Sequence, residues 1–161
     1  MNSIKITSFQ NGQELLVYLL IKKVYDEFVS IDYTEEGNRV FYDWIEPSKM
    51  AERQQNQINI LIATIDSEIV GMIEIRDNNK ISLLFVDKKH HGLGVAKKLF
   101  QEALKKSILR DANLNTFLVN ASPYSIPVYR KLGFIETDVM QEKFGIKYLP
   151  MAMTINKVEK N

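Results

Sequence analysis

No cysteine occurs among the 161 residues, which excludes a disulfide framework and any mechanism with a protein thiolate as nucleophile. The absence fits a reducing compartment. Histidine is nearly as scarce: there are two, and they are neighbours, His90 and His91. Adjacent side chains on an extended segment point in opposite directions. No ligand-spaced partner accompanies them, so no metal site is expected. No apolar run is long enough to span a membrane, and the opening MNSIKITSFQ lacks the apolar core of a signal peptide. The expectation is a cytoplasmic protein with no membrane partner. A large excess of one charge is missing too. The formal net charge is +1 and no basic patch interleaved with aromatics occurs, which argues against a nucleic-acid partner.

What is present suits one globular domain over residues 1–161, with 45% hydrophobic and 25% charged residues. The balanced total hides an asymmetry. Residues 24–52 carry eight acids, among them Asp26 and Glu27, against Arg39 and Lys49. Residues 88–110 carry seven bases, among them Lys97 and Lys98, against Glu102. Two solvated helix faces would look like this. So would one half that attracts an anionic ligand and one that attracts a cation.

Along the chain, Ile4–Phe9 suits a short strand. Leu15, Leu16, Leu19, Leu20, Val24 and Phe28 recur at helical spacing within Gln13–Ser30. Thr34 followed by two acids suits a second helix, ended near Glu46 by Pro47. The run ERQQNQ (52–57) reads as a loop or a frayed helix end. NILIATI, IVGMIEIR and KISLLFV are β-rich and separated by Asp66-Ser67-Glu68 and Asp77-Asn78-Asn79, which predicts two hairpins. A helix from Leu93, a strand at 116–120, a short helix at Ser125–Leu132 and a last hairpin around Phe144-Gly145-Ile146 complete the order. Strand, helix, strand across 80–120 predicts a right-handed parallel crossover in a mixed α/β domain.

The stretch VDKKHHGLGVAKKLF (86–100) is the most informative. Gly92-Leu93-Gly94 follows a strand and opens a helix, as a dinucleotide fingerprint does. Its third small residue would fall at Lys97, and the next strand ends in Asn120 rather than an acid, so that reading lacks both supports. A helix N-terminus offers unpaired amides and a favourable dipole to any phosphate, and glycines let the phosphate approach. A phosphate-holding loop and a tight turn without ligand both remain open on this stretch alone.

His91-Gly92-Leu93-Gly94-Val95-Ala96 resembles the Q/R-x-x-G-x-G/A acyl-CoA motif of the GNAT superfamily of N-acetyltransferases. NASPYSIPVYRKLGF (120–134) resembles that superfamily's second signature. The element order is similar from about Ile4 to Ile155. The resemblance implies a mostly antiparallel mixed sheet with a splayed parallel central pair and helices on both faces. It implies acetyl-CoA as acyl donor, transferred directly to a primary amine, and a homodimer is common among such proteins. It places the cofactor against Leu84, Phe85, Val86, His91, Gly92, Leu93, Gly94, Val95, Ala96, Lys97, Asn120 and Ser122. An amide near Phe85 or Val86 would polarise the thioester carbonyl. His91 stands where Gln or Arg is usual, and Ser122 where Asn often is.

Tyr129 matches the tyrosine that protonates the departing thiolate, against a reading as a core aromatic. Glu74, a carboxylate inside an apolar strand, is either the base or a structural partner of Arg76 or of a lysine on a neighbouring strand. His90 has a suitable chemistry for a base but sits beside the phosphate loop. Asp26, Glu27 and Tyr33 fall where relatives line the acceptor site, which favours a cationic small molecule or peptide as acceptor. The rival from another class is a non-catalytic acyl-CoA sensor.

Overall fold

The structure, a computed structural model, describes residues 3–56 and 59–156. Strand β1 (Lys5–Ser8) leads into α1 (Glu14–Phe28), whose Val17, Leu20, Ile21 and Val24 form the buried stripe that the 3.6-residue period requires. A short 3₁₀ turn (Ser30–Asp32) separates α1 from α2 (Glu35–Trp44). The Thr34 side chain accepts the Gly37 N–H at 3.1 Å and caps α2, with Glu35 and Glu36 in its first turn.

Pro47 then opens a further helix, α3 (Pro47–Gln55), instead of only closing α2. A proline at the first helical position loses an N–H that would have had no partner there. The loop or frayed end expected at ERQQNQ is therefore helical through Gln55; Gln57 lies outside the described residues. Its polarity misled because α3 buries only Met50 and Arg53.

Strands β2 (Asn59–Ile65), β3 (Glu68–Arg76) and β4 (Lys80–Val86) form the two expected hairpins. The turn residues Asp66, Ser67, Asp77 and Asn78 all have positive φ, as the tight primed turns of hairpins demand. Then come α4 (Val95–Arg110), β5 (Thr116–Ala121), α5 (Ile126–Leu132), β6 (Ile135–Glu136), β7 (Gln141–Lys143) and β8 (Ile146–Thr154). The sheet order is β1-β2-β3-β4-β5-β8-β6, with β7 paired to β8. Among the described strands only β4 and β5 run parallel.

The core lies on both faces of the sheet. One cluster joins the sheet to α4 and α5 through residues such as Leu99, Phe100, Phe117, Tyr129 and Phe134. The other joins it to α1, α2 and α3 through Val17, Ile21, Ile45, Met50, Ile60 and Met72. Alternation along β4 sends Leu83 and Phe85 to the α1 side and Leu84 and Val86 to the α4 side.

The last hairpin reaches back across the molecule. At its tip Phe144 and Gly145 have φ of 53° and 79°, and Gly145 C=O accepts the Thr34 N–H at 2.9 Å. A methyl group on Gly145 would overlap the Thr34 hydroxyl, and one on Gly37 would overlap the Gly145 carbonyl. Two glycines thus clasp the N-terminus of α2 to the far end of the chain.

Candidate active site

The parallel pair is short. β4 and β5 are in register only at Lys80 with Leu118 and Ile81 with Val119. Immediately beyond, β4 slips against β3: Ile81 faces Ile75 but Leu83 faces Glu74, which leaves Ser82 as an extra residue. Such a bulge bends its strand and raises the local twist. From Leu83 to Val86, β4 pairs with β3 alone, and a gap opens towards β5.

That gap is part of a cleft of about 430 Å³. The Asp87 N–H donates to the Val70 carbonyl at 2.8 Å on β3. Because successive N–H groups of a strand alternate in direction, those of Val86 and Leu84 face the gap, whereas that of Phe85 faces β3. Of the two amides expected near the thioester carbonyl, that of Val86 alone faces the gap, and Phe85 contributes its ring to the cleft. His91 Nε2 donates to the Val86 carbonyl at 2.8 Å, so its side chain is spent on orienting the loop.

At the end of β4 a 3₁₀ turn (Lys88–His90) leads into the glycine pair. Gly92 and Gly94 have φ of 79° and 84°, a region that costs other L-residues roughly 1–2 kcal/mol. Gly94 is the N-cap of α4, and the first helical N–H to find an intrahelical acceptor is that of Lys98, bonded to Gly94 C=O at 3.0 Å. The amides of Val95, Ala96 and Lys97 consequently stand free at the cleft, with the positive end of the helix dipole behind them. Lys97, in the first turn of α4, and Lys131, on α5, add positive charge to the cleft lining. The residues present fit a polyphosphate there and a narrow amide-bearing arm along β4.

Of the expected cofactor contacts, Leu84, Phe85, Val86, His91, Gly92, Gly94, Val95, Ala96, Lys97, Asn120 and Ser122 line this one cleft; Leu93 does not and points outward, 53% exposed. The Ser122 hydroxyl is shared with that of Ser125 at 2.9 Å.

A family profile described as an acetyltransferase (GNAT) domain matches residues 29–155. The chain belongs to the GNAT acetyltransferase family. It is thus an acyltransferase that takes its acetyl group from acetyl-CoA. Solved GNAT structures share the fold. A GCN5-related N-acetyltransferase from Rhodopseudomonas palustris superposes with a TM-score of 0.82 at 18% identity, over 96% of this chain and 98% of that one. The PaiA N-acetyltransferase of Thermoplasma acidophilum, in complex with coenzyme A, gives 0.76 at 19% identity, over 95% and 99%. The ribosomal-protein-S18-alanine N-acetyltransferase of Escherichia coli gives 0.65 at 15% identity, over 95% and 94%.

Within this GNAT chain, Tyr129 sits on α5 and lines the cleft although it is only 4% exposed. Its ring packs edge-on against Phe134. Burial pushes its hydroxyl pKa well above the usual tyrosine value, with a further rise from Tyr33 nearby. Tyr33 is itself pushed up to about 12 by burial. Two neutral phenols therefore meet in the cleft at neutral pH.

Glu74 is not brought there. It is fully buried and held through both oxygens by Arg53, Nε to Oε1 at 2.8 Å and Nη2 to Oε2 at 3.0 Å. Arg53 also donates to the Trp44 carbonyl at 2.7 Å and stacks 3.9 Å from the Trp44 ring. The structural partner that sequence reading sought in Arg76 or a lysine is Arg53, on the helix it missed. Asp26 and Glu27 also stay outside the cleft lining. Asp26 binds Lys22 at 2.5 Å and the Tyr42 hydroxyl, and Glu27 binds Lys88 at 2.7 Å. Among the described residues no carboxylate lines the cleft, and no group of three or more metal-ligating side chains occurs. No helix among them is long and apolar enough to cross a membrane.

Sequence reading missed Val24, Val29, Phe41 and Tyr124 in the lining. The signal was weak, since apolar residues at helical spacing read first as core.

Proposed function

We propose that the cleft transfers the acetyl group directly to the nitrogen of a neutral primary amine. The carrying observation is Tyr129, a buried neutral phenol that opens on the cleft. When bound, acetyl-CoA would supply the acyl group, with coenzyme A as the thiolate leaving group when the C–S bond breaks and the surplus proton of the attacking nitrogen passing to solvent. The free amides of Val95 to Lys97 hold its phosphates, and those of Leu84 and Val86 hold its arm along β4. The Val86 N–H sits where it polarises the acyl carbonyl, a contribution of about 3 kcal/mol for one well-placed donor.

Tyr129 hydrogen-bonds the leaving sulfur. Its reference pKa near 10 already exceeds that of a thiol, about 8.5, and burial widens the difference. A hydrogen bond to the developing charge therefore matters more than complete proton transfer. Glu74, saturated by Arg53, takes a structural part in this reading rather than that of base. The cationic acceptor suggested by the acidic run 24–52 finds no carboxylate counter-charge in the lining.

The test is thermal unfolding with acetyl-CoA, coenzyme A and NAD in parallel, followed by coenzyme A release with a panel of amines. At about 100 times its dissociation constant a ligand adds roughly 2.7 kcal/mol, several degrees for a domain of this size. Shifts with the two coenzyme A species but not NAD, and turnover lost in Tyr129→Phe, support transfer. Shifts without turnover on any amine favour the sensor reading.

A further inference from the structure

The face of the cleft beneath α1 and α2 is built almost entirely of apolar and aromatic groups. Leu83 and Phe85 form its floor on β4, and Val24, Val29, Tyr33 and Phe41 form its walls. The walls are braced from behind. Tyr25 lies flat against Phe41, ring centroids 3.8 Å apart and planes 4° apart, and its hydroxyl donates to Asn38 Oδ1 at 2.5 Å. Phe41 in turn meets Phe85 at 5.9 Å. On the remaining side Tyr124 lines the cleft and stacks on Phe28 at 4.6 Å, with the Lys88 ammonium 5.7 Å from the same ring.

From these contacts we infer that the acceptor is a primary amine carrying a single positive charge in solution and an aromatic or large apolar body, not a polyamine. The inference rests on the acetyltransferase reading of the cleft. An apolar body gains by leaving water for such walls, and a flat ring adds offset or edge contacts with Phe41, Phe85 and Tyr124. A second ammonium finds the opposite. No described carboxylate lines the cleft, and the nearby acids Asp26 and Glu27 are already bound to Lys22 and Lys88. Burying that charge without a partner is costly.

The experiment measures coenzyme A release from saturating acetyl-CoA with 2-phenylethylamine, propylamine and spermidine at one pH. The expected kcat/KM for 2-phenylethylamine is at least about tenfold above that for propylamine, with spermidine no better than propylamine. Phe41→Leu and Tyr124→Leu keep an apolar wall but remove a ring. Each is expected to narrow the ratio while leaving the acetyl-CoA thermal shift unchanged. Parity between 2-phenylethylamine and propylamine, a lead for spermidine, no release with any of the three, or an unchanged ratio in both variants overturns the inference. An absent acetyl-CoA shift in the parent chain, or a shift without release from any amine of the wider panel, overturns the proposed function itself, so the two failures are distinguishable.

Discussion

Two buried polar side chains on this molecule do opposite things, and the difference lies in their partners. Tyr129 is buried but opens on the cleft, whereas Glu74 is buried and fully claimed by Arg53. Tyr129→Phe is expected to lower kcat by about 100-fold or more while the acetyl-CoA thermal shift persists. The pH response follows from the raised pKa. The unfolded phenol ionises near 10, whereas the native one is still protonated there. The unfolded state then binds fewer protons, so stability falls as pH rises past about 10. Below that pH no limb of the rate profile comes from Tyr129 ionising. For the ion pair, Glu74→Ala leaves Arg53 buried without its counter-charge, and urea unfolding should record a loss of about 3–5 kcal/mol. The double change Glu74→Leu with Arg53→Met removes both charges and should recover most of it. A folded double variant with kcat a hundredfold down would restore Glu74 as the base.

At the scale of elements, the turn before α4 carries the strongest local demand. Gly94→Ala places a side chain at φ of 84° in open space, so strain alone is at work. It should lower stability by about 1–2 kcal/mol and weaken coenzyme A binding measured by titration, with acceptor KM little changed. This turn was legible in sequence because a strand, two glycines and a lysine-bearing helix are contiguous. So were the two middle hairpins and the short helix of Tyr129, each marked by its own turn residues. Helix α3 was not legible. Pro47 closes one helix and opens the next, and the polar residues after it bury little. The aromatic wall escaped for another reason. Phe28, Phe41, Phe85 and Tyr124 lie on four separate segments, and only the fold brings them together. Arg53 and Glu74 are likewise 21 residues apart in sequence, a pairing that no periodicity announces.

At the scale of the molecule, the clasp between Gly37 and Gly145 ties α2, which carries Phe41 of the proposed acceptor wall, to the last hairpin. Gly145→Ala adds a methyl where the Thr34 hydroxyl stands, at a φ that already disfavours it. A loss of about 1–3 kcal/mol is expected from overpacking. Freed from its anchor, α2 should raise the acceptor KM while acetyl-CoA affinity, assigned in the proposal to β4 and the start of α4, stays close to the parent value. Equal loss of both would mean that the clasp supports the whole sheet and not one side of the cleft.

The same clasp has a consequence for a chain emerging residue by residue during synthesis. The turn proposed to hold the phosphates precedes α4 in the chain and is synthesised well before β8. The proposed acceptor wall is pinned only when the tip of the last hairpin arrives, with Gly145 C=O accepting the Thr34 N–H. Since a domain folds as a unit, a chain halted before Gly145 lacks the clasp and cannot close its fold around the cleft.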